Sequence, residues 1–374
     1  MKLYEFQAKN VFKEAGIPVP NSVLIHEKSQ LEDALLNVGL PCVVKSQVLS
    51  GGRGKAGLIS FVKTKEKAQA ETKRLFNHEQ KIKSLLIEQA IDIQKEIYVS
   101  ITIDPYLATG LLIVSAEGGI DIETLAVTQP DKIIKEPIDL RYGLMPFQAS
   151  QIAYSLGLDI AVTKQLIKLF LKLYDVFVKY DAELVEINPL FITKDNQVVA
   201  GDGKLMIDDN SMFRQTRFEQ VQSDYKSEAE FDANQEGIPF IQFDGDIGLM
   251  CAGAGLTTTV YDLIHYEGGT VANYLEFGGP NYKKAVKAME ICLKVPSKVI
   301  LIVTFGTIAR ADVMAEGIVD AIKRLKPDRP IVTCIRGTNE QEAVKMLREA
   351  GLEPLFDTEE AVKKAVLLAR GGTK

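Results

Sequence analysis

The sequence predicts an α/β chain in two parts: a mixed α+β region, then a doubly wound parallel sheet. Three observations carry this. A glycine-rich run, Ser50-Gly51-Gly52-Arg53-Gly54-Lys55-Ala56-Gly57, lies between two apolar runs, Pro41 to Leu49 and Leu58 to Val62. Strand, glycine loop, strand reads as a hairpin. A polar, acidic stretch from Phe218 to Glu236 reads as a linker, and the composition changes after it. From Ile247 onward, short apolar strands alternate with helical segments, the pattern of a right-handed doubly wound sheet. The expected division is 1–225, a linker at 226–238, and 239–374.

Taken in order, Leu3 to Ala15 reads as a helix stopped by Gly16, Pro18 and Pro20. Leu85 to Glu88 and Glu96 to Ile103 read as strands at the edge of a cleft. Leu111 to Ser115 is a short buried strand ending at Glu117-Gly118-Gly119. Thr163 to Tyr180 has a polar stripe near the helical period, with Thr163 as its cap. Ala182 to Ile187 and Gln197 to Ala200 read as a strand pair around Asn188-Pro189. In the second part, strands are expected at Ile247 to Cys251, Ala272 to Leu275, Val299 to Thr304, Ile331 to Ile335 and Pro354 to Phe356. Helices are expected at Leu256 to His265, Lys283 to Leu293, Val313 to Leu325, Glu340 to Glu349 and Glu359 to Ala369.

Composition narrows the function. A length of 374 residues allows more than one domain and a large core. A net charge of −6 without any basic block argues against nucleic acid as a partner. No apolar stretch reaches transmembrane length, and Met1-Lys2-Leu3-Tyr4-Glu5 does not open a signal peptide. Neither a membrane nor an export route is therefore expected. Cys42, Cys251, Cys292 and Cys334 are scattered, form no CxxC pair, and read as small buried hydrophobes in a reducing, cytoplasmic setting. His26, His78 and His265 are far apart and read as surface or packing residues.

Two regions carry chemistry. In the glycine run, backbone N–H groups can surround an anion without interference from Cβ atoms, and Arg53 and Lys55 add positive charge for a polyphosphate. A flexible surface hairpin is the plainer reading, but it leaves Lys45, just before the loop, unexplained. The run is neither a P-loop nor a dinucleotide fingerprint, since a strand follows it and Lys55 precedes alanine. Further on, a hairpin turning at Lys194-Asp195-Asn196 would bring Asn188 and Asp202 side by side. Hard oxygen ligands of this kind hold Mg2+ in nucleotide sites. Asn-Pro and Asp-Gly also mark ordinary turns. In the second part, Gly253-Ala254-Gly255-Leu256 follows a strand and opens a helix, whose free N–H groups and dipole favour anions. Phe305-Gly306-Thr307-Ile308-Ala309-Arg310 repeats the arrangement, which suggests a shared crevice at the carboxyl ends of the strands.

These features, in order, resemble the β subunit of succinyl-CoA synthetase along essentially the whole chain. The matching segments are Leu3 to Lys9, the GGRGKAG loop, Glu117-Gly118-Gly119, Glu186 to Leu190, Asp202-Gly203-Lys204, Phe213-Arg214-Gln215 and Gly253 to Leu256. The resemblance implies an ATP-grasp domain of two lobes followed by a flavodoxin-like CoA-ligase domain. It implies that Lys45, Gly52, Arg53, Gly54, Glu88 and Glu96 line ATP, with Lys45 neutralising phosphate, Glu88 at the hinge near the adenine and Glu96 near the ribose or phosphates. Asn188 and Asp202 would hold Mg2+, and catalytic Glu186 would lie at the phosphoryl-transfer end. Pro20 matches the ATP-using branch. Ala252, Gly253, Ala254, Gly255, Thr307, Ile308 and Ala309 would face the acid or a phosphohistidine. That histidine and most of the CoA site would belong to a partner α subunit, in a heterodimer or heterotetramer.

The departures from the family gather at the acyl end. Ala252 stands where asparagine is usual, Thr307 replaces a glycine, Gly278-Gly279-Pro280-Asn281 replaces a run of three glycines, and Leu49-Ser50 stands where a histidine is common. One changed hydrogen-bond partner can shift substrate choice by a large factor. Succinate is therefore the first expectation, with malate, citrate or a sulfonated acid as competitors. A different ATP-grasp ligase, joining a carboxylate to an amine, and a non-catalytic subunit are the alternatives from other classes.

Overall fold

The computed structural model describes residues 1–219, 225–278, 284–306 and 309–372. The chain divides into two compact units, Met1–Glu219 and Gln220–Lys374. The first unit contains ten strands: β1 (Ser22–Ile25), β2 (Cys42–Ser46), β3 (Ile59–Val62), β4 (Leu85–Gln89), β5 (Ile93–Asp104), β6 (Thr109–Ser115), β7 (Ile133–Ile138), β8 (Ala182–Thr193), β9 (Val198–Ala200) and β10 (Lys204–Ile207). They form two sheets. The smaller has the order β1-β4-β2-β3, and the larger β10-β8-β5-β6-β7, with β9 also on β8.

The small sheet is antiparallel throughout, and β2 pairs with β3 from Cys42↔Val62 to Lys45↔Ile59. The glycine run is thus the loop of a hairpin, as expected. Cys42 and Val44 point into a core with Ile25, Leu31, Leu75, Leu85 and Ile87, while Lys45 points the opposite way. That alternation puts the lysine on the face toward the rest of the unit.

The large sheet is covered by helices Glu5–Glu14 and Ile160–Lys179, around Phe12, Ile97, Leu112, Phe170 and Leu173. The longer helix buries Val162, Leu166, Leu169, Phe170, Leu173, Val176 and Phe177, the stripe a 3.6-residue period produces. Thr163 is not its cap. Asp159 occupies that position, and the buried Thr163 hydroxyl donates back to the carbonyls of Leu158 and Asp159. The helix starts upstream of the threonine, at Ile160, and its buried face starts at Val162.

The second unit contains β11 (Phe240–Gln242), β12 (Ile247–Cys251), β13 (Val271–Leu275), β14 (Val299–Gly306) and β15 (Ile331–Gly337), in the order β11-β13-β12-β14-β15. All pairs are parallel except β11 with β13. Of the expected strand Pro354 to Phe356, only Leu355 pairs, in a parallel bridge to Cys334. With that bridge the order is 2-1-3-4-5, the flavodoxin-like winding, and its switch point lies between β12 and β14. Helices cover both faces, and every residue of β12 is buried, as a central parallel strand requires.

The expected linker at 226–238 is largely folded. Glu228–Gln235 is a helix capped by the Ser227 hydroxyl, and its Ala229 and Ala233 enter the core of the second unit. Two small residues four apart make an apolar stripe that the acidic composition conceals. Among the described residues, no helix is long and apolar enough to cross a membrane.

Candidate functional site

A cleft of about 440 Å3 in the first unit is lined by the glycine loop from Ser50 to Lys55, by 119–123, and by Glu186, Asn188, Asp202 and Lys204. Strand period places the last group. Glu186 and Asn188 alternate with buried Val185 and Ile187 along β8, and β10 returns Lys204 opposite Glu186. Asp202 follows β9, and its N–H lies 3.4 Å from the Pro189 carbonyl, so the hairpin brings the Asn188 and Asp202 segments together as expected.

Each wall is fixed by specific bonds. Asn188 Oδ1 accepts from the Gly119 N–H at 2.9 Å, and its Nδ2 donates to the Ile120 carbonyl at 3.0 Å. Gly119 has φ +71 with the Glu96 carboxylate where a Cβ would stand, and a Cβ on Gly118 would lie 2.6 Å from the Ile97 nitrogen. Only glycines allow this close approach. Lys55 on one loop pairs with Asp121 on the facing loop, with Lys55 78% exposed.

Behind the cleft lies a buried charge network. Lys45 Nζ pairs with Glu5 at 3.0 Å and Glu88 at 2.7 Å, and donates to the Gly201 carbonyl at 2.7 Å. Lys9 pairs with the same two carboxylates and donates to the same carbonyl at 2.8 Å. Arg53 joins Glu5 to Asp202, meeting both Asp202 oxygens at 2.8 Å. Three cations thus face three carboxylates.

Electrostatics follow from this packing. Burial alone would raise Glu5, but Lys45, Lys9 and Arg53 hold it well below the usual carboxylate range. Burial opposes the charge on Lys45, yet Glu5, Glu88 and Asp202 raise it above an ordinary lysine. Asp202 is pushed up by burial and by Glu5, against Arg53, Lys45 and Lys9. Burial also raises Glu186, while Lys204 and the Tyr98 hydroxyl, 3.4 Å away, counter it.

Gly52, Arg53, Gly54, Glu186, Asn188 and Asp202 all reach the cleft. Lys45 and Glu88 do not. They sit one carboxylate deeper, at 6% and 2% exposure, and neutralise each other. Both Glu88 oxygens are paired with lysines, one with Lys9 and one with Lys45. Glu96 stands behind Gly119 rather than on the cleft wall. Sequence reasoning gave no role to Lys2, Glu5, Lys9 or Lys204. The opening motif that contains the first three was the available signal.

The donor set suits Mg2+. Among the described residues no three His, Cys, Asp or Glu side chains cluster into a metal cage. Two protein oxygens, with phosphates and water completing an octahedron, are the usual protein share of such a site. The cleft holds an amide oxygen at Asn188 and a carboxylate at Asp202, now engaged by the Gly119 N–H and by Arg53, which a metal would have to displace.

In the second unit, β12 and β14 run parallel with Cys251 beside Val303, so the chain leaving β12 emerges beside β14 at the switch point. Ala252 donates its N–H to the Val303 carbonyl. Gly253 has φ +96 and opens helix Ala254–Tyr266, whose first N–H groups at Ala254 and Gly255 have no side-chain cap. A Cβ on Gly278 would strike Ala252. Ala309 lies partly buried against the core, and a Cβ on Gly306 would approach its carbonyl. Thr307 and Ile308, and Gly279-Pro280-Asn281 in the altered glycine run, lie outside the described residues.

Comparison with known proteins agrees with both units. The ATP-grasp domain family matches residues 2–192 and the CoA-ligase family residues 250–368. The chain is 69% identical over 371 residues to the ADP-forming sulfoacetate-CoA ligase subunit SqwK of Acholeplasma sp, covering 99% of this chain and 92% of the relative. It is 58% identical to the corresponding subunit SauC of Bilophila wadsworthia, over 99% and 100% of the two chains. A succinate–CoA ligase β subunit from Ignicoccus hospitalis is 42% identical, again over 99% and 100%. The ATP citrate lyase of Methanothrix soehngenii shares the fold, with a TM-score of 0.73 and 20% identity over 99% of both chains. The chain is a member of the family of ADP-forming acid–CoA ligase β subunits, built from an ATP-grasp domain and a CoA-ligase domain.

Proposed function

We propose that this chain is the nucleotide-binding subunit of a sulfoacetate–CoA ligase. With a partner subunit it would catalyse ATP + sulfoacetate + CoA = ADP + phosphate + sulfoacetyl-CoA. The observation that carries this reading is the full-length identity of 69% and 58% to two sulfoacetate ligase subunits, against 42% to a succinate ligase subunit. Succinate, the first expectation from the sequence, becomes the competitor. Small residues at the acyl end support the change. Ala252 brings no side-chain donor, and Gly278 packs directly against it.

The first unit supplies the electrostatics. Backbone amides of Gly52 and Gly54 and the Arg53 guanidinium receive the ATP phosphates, with Lys45 reaching them from behind Glu5. Glu96, now behind Gly119, would have to turn toward the cleft to meet the ribose or phosphates. Asn188 and Asp202 would hold Mg2+, which would neutralise phosphate charge. Glu186, raised by burial and flanked by Lys204, stands at the transfer end. Positioning and charge stabilisation of this kind are the protein's main contribution to phosphoryl transfer.

In the second unit, the helix start at Gly253 offers free N–H groups and a positive dipole end to a phosphohistidine carried by the partner. The histidine passes its phosphoryl group to the carboxylate of the acid, and the CoA thiol then displaces phosphate. Among this chain's histidines, His265 is exposed and packs at a tilt against Tyr261, 4.6 Å between ring centres, which suits a surface role.

The test is acid-dependent ADP release by the chain co-expressed with its partner subunit. CoA, MgATP and a panel of sulfoacetate, succinate, malate and citrate are supplied, and the thioester is identified by mass. Sulfoacetyl-CoA is the expected product. A complex that turns over none of these acids would refute the assignment.

A further inference from the structure

The opening motif Leu3 to Lys9 carries two buried charges that the reaction does not explain, Glu5 and Lys9. Lys9 has a peculiar relation to Lys45. Both ammonium groups hold the same three acceptors: Glu5, Glu88 and the Gly201 carbonyl. Lys9 comes from helix Glu5–Glu14 and Lys45 from β2, so two separate elements converge on one set of oxygens.

Only one of the two lies next to the cleft on its own strand. Lys45 precedes the glycine loop, and Glu5, its partner at 3.0 Å, lines the cleft. To reach a phosphate, Lys45 must leave its three acceptors. Without another lysine, buried Glu88 would be left with no cation and Glu5 with Arg53 alone, which is strongly unfavourable. Lys9 removes that obstacle, because it remains on the same carboxylates and on the carbonyl of Gly201, the residue before Asp202.

We propose that Lys9 is a positioning residue for nucleotide binding: it keeps Glu5, Glu88 and Gly201 satisfied while Lys45 moves onto the phosphates. The proposal rests on the nucleotide reading of the cleft. It makes the paired lysines a relay, one fixed and one exchangeable. It also gives Glu88 a task other than contact with the adenine: it is the carboxylate that both lysines share.

The experiment measures binding of MgATP and its non-hydrolysable analogue by calorimetry, together with steady-state kinetics, on the co-purified complex. Lys9→Met is expected to weaken MgATP about 10–100-fold, as when the hydrogen-bond partner behind a metal ligand is lost, with kcat at saturating ATP changed much less. Lys9→Arg, which keeps the charge, recovers part of the affinity. Lys9→Met combined with Lys45→Met binds no more weakly than Lys45→Met alone, because the first lysine acts through the second. Lys9→Met with Glu88→Gln restores charge balance and hence folding stability. Its affinity stays low, since Lys45 is then held by Glu5 without a substitute. A folded Lys9→Met complex with wild-type affinity, or full recovery in the charge-balanced variant, would overturn the proposal. Wild-type complex that binds no MgATP overturns the nucleotide reading itself.

Discussion

The cleft of the first unit and the switch point of the second solve anion binding in opposite ways. The cleft is built from long charged side chains whose partners come from distant parts of the sequence, such as Arg53 with Asp202 and Lys45 with Glu5. The switch point is built from backbone and small residues: Ala252, Gly253, Ala254, Gly255 and Gly278. The contrast fits what each must recognise. A polyphosphate has a fixed, high charge, which a preformed set of cations matches. Acid choice turns on a few atoms, so exchanging an alanine for an asparagine alters it while the nucleotide half stays intact.

Variants can sharpen that contrast. The largest effect is expected from Glu5→Gln, which leaves Lys9, Lys45 and Arg53 with too few carboxylates. Breaking a buried ion network costs about 3–5 kcal/mol, read as lower stability of the first unit in denaturant titration. The acid range gives a second readout. Because the folded state holds Glu5 below its ordinary value of 4.5, its contribution is complete above that pH and is lost as pH falls below it. Glu5→Gln should flatten that part of the stability curve, and an unchanged curve would contradict the network.

Next comes the cleft itself. Asp202→Asn or Lys45→Met should lower kcat/KM for MgATP about 10²–10³-fold, comparable with removal of one preorganised electrostatic group. The ratio of activities on different acids should not move. A smaller effect, about 10–100-fold, is expected for Ala252→Asn on the preference for sulfoacetate over succinate, with KM for ATP unchanged. If ATP affinity and acid preference moved together in either variant, the separation of tasks would fail. The smallest effect belongs to Lys55→Ala. Its exposed pair with Asp121 is worth about 0–1 kcal/mol by melting, and a larger loss would mean that the facing loops depend on it.

Legibility in the sequence follows the same divide. The glycine hairpin could be read because its signal is local: apolar runs flank a stretch with no β-branched residue. The doubly wound sheet could be read because strand and helix periods alternate over short distances. Thr163 misled because a capping residue was sought inside a helix that begins earlier, at Ile160, with its buried stripe starting at Val162. The helix at Glu228–Gln235 was hidden by acidic composition, although Ser227 marked its start. Of the charge network, only Glu5 with Lys9 has a legible spacing, i,i+4 on one helix. Lys9 and Glu88 are 79 positions apart, and Arg53 and Asp202 are 149 apart. No spacing rule reports on pairs made by folding, so the two lysines on Glu88 were not foreseen.

The most direct test is competition between two acids in one vessel. With limiting MgATP and CoA, and equal sulfoacetate and succinate, the reconstituted complex should form sulfoacetyl-CoA in excess over succinyl-CoA by about tenfold or more. Equal amounts of the two thioesters, or a preponderance of succinyl-CoA, would contradict the assignment of the acyl end.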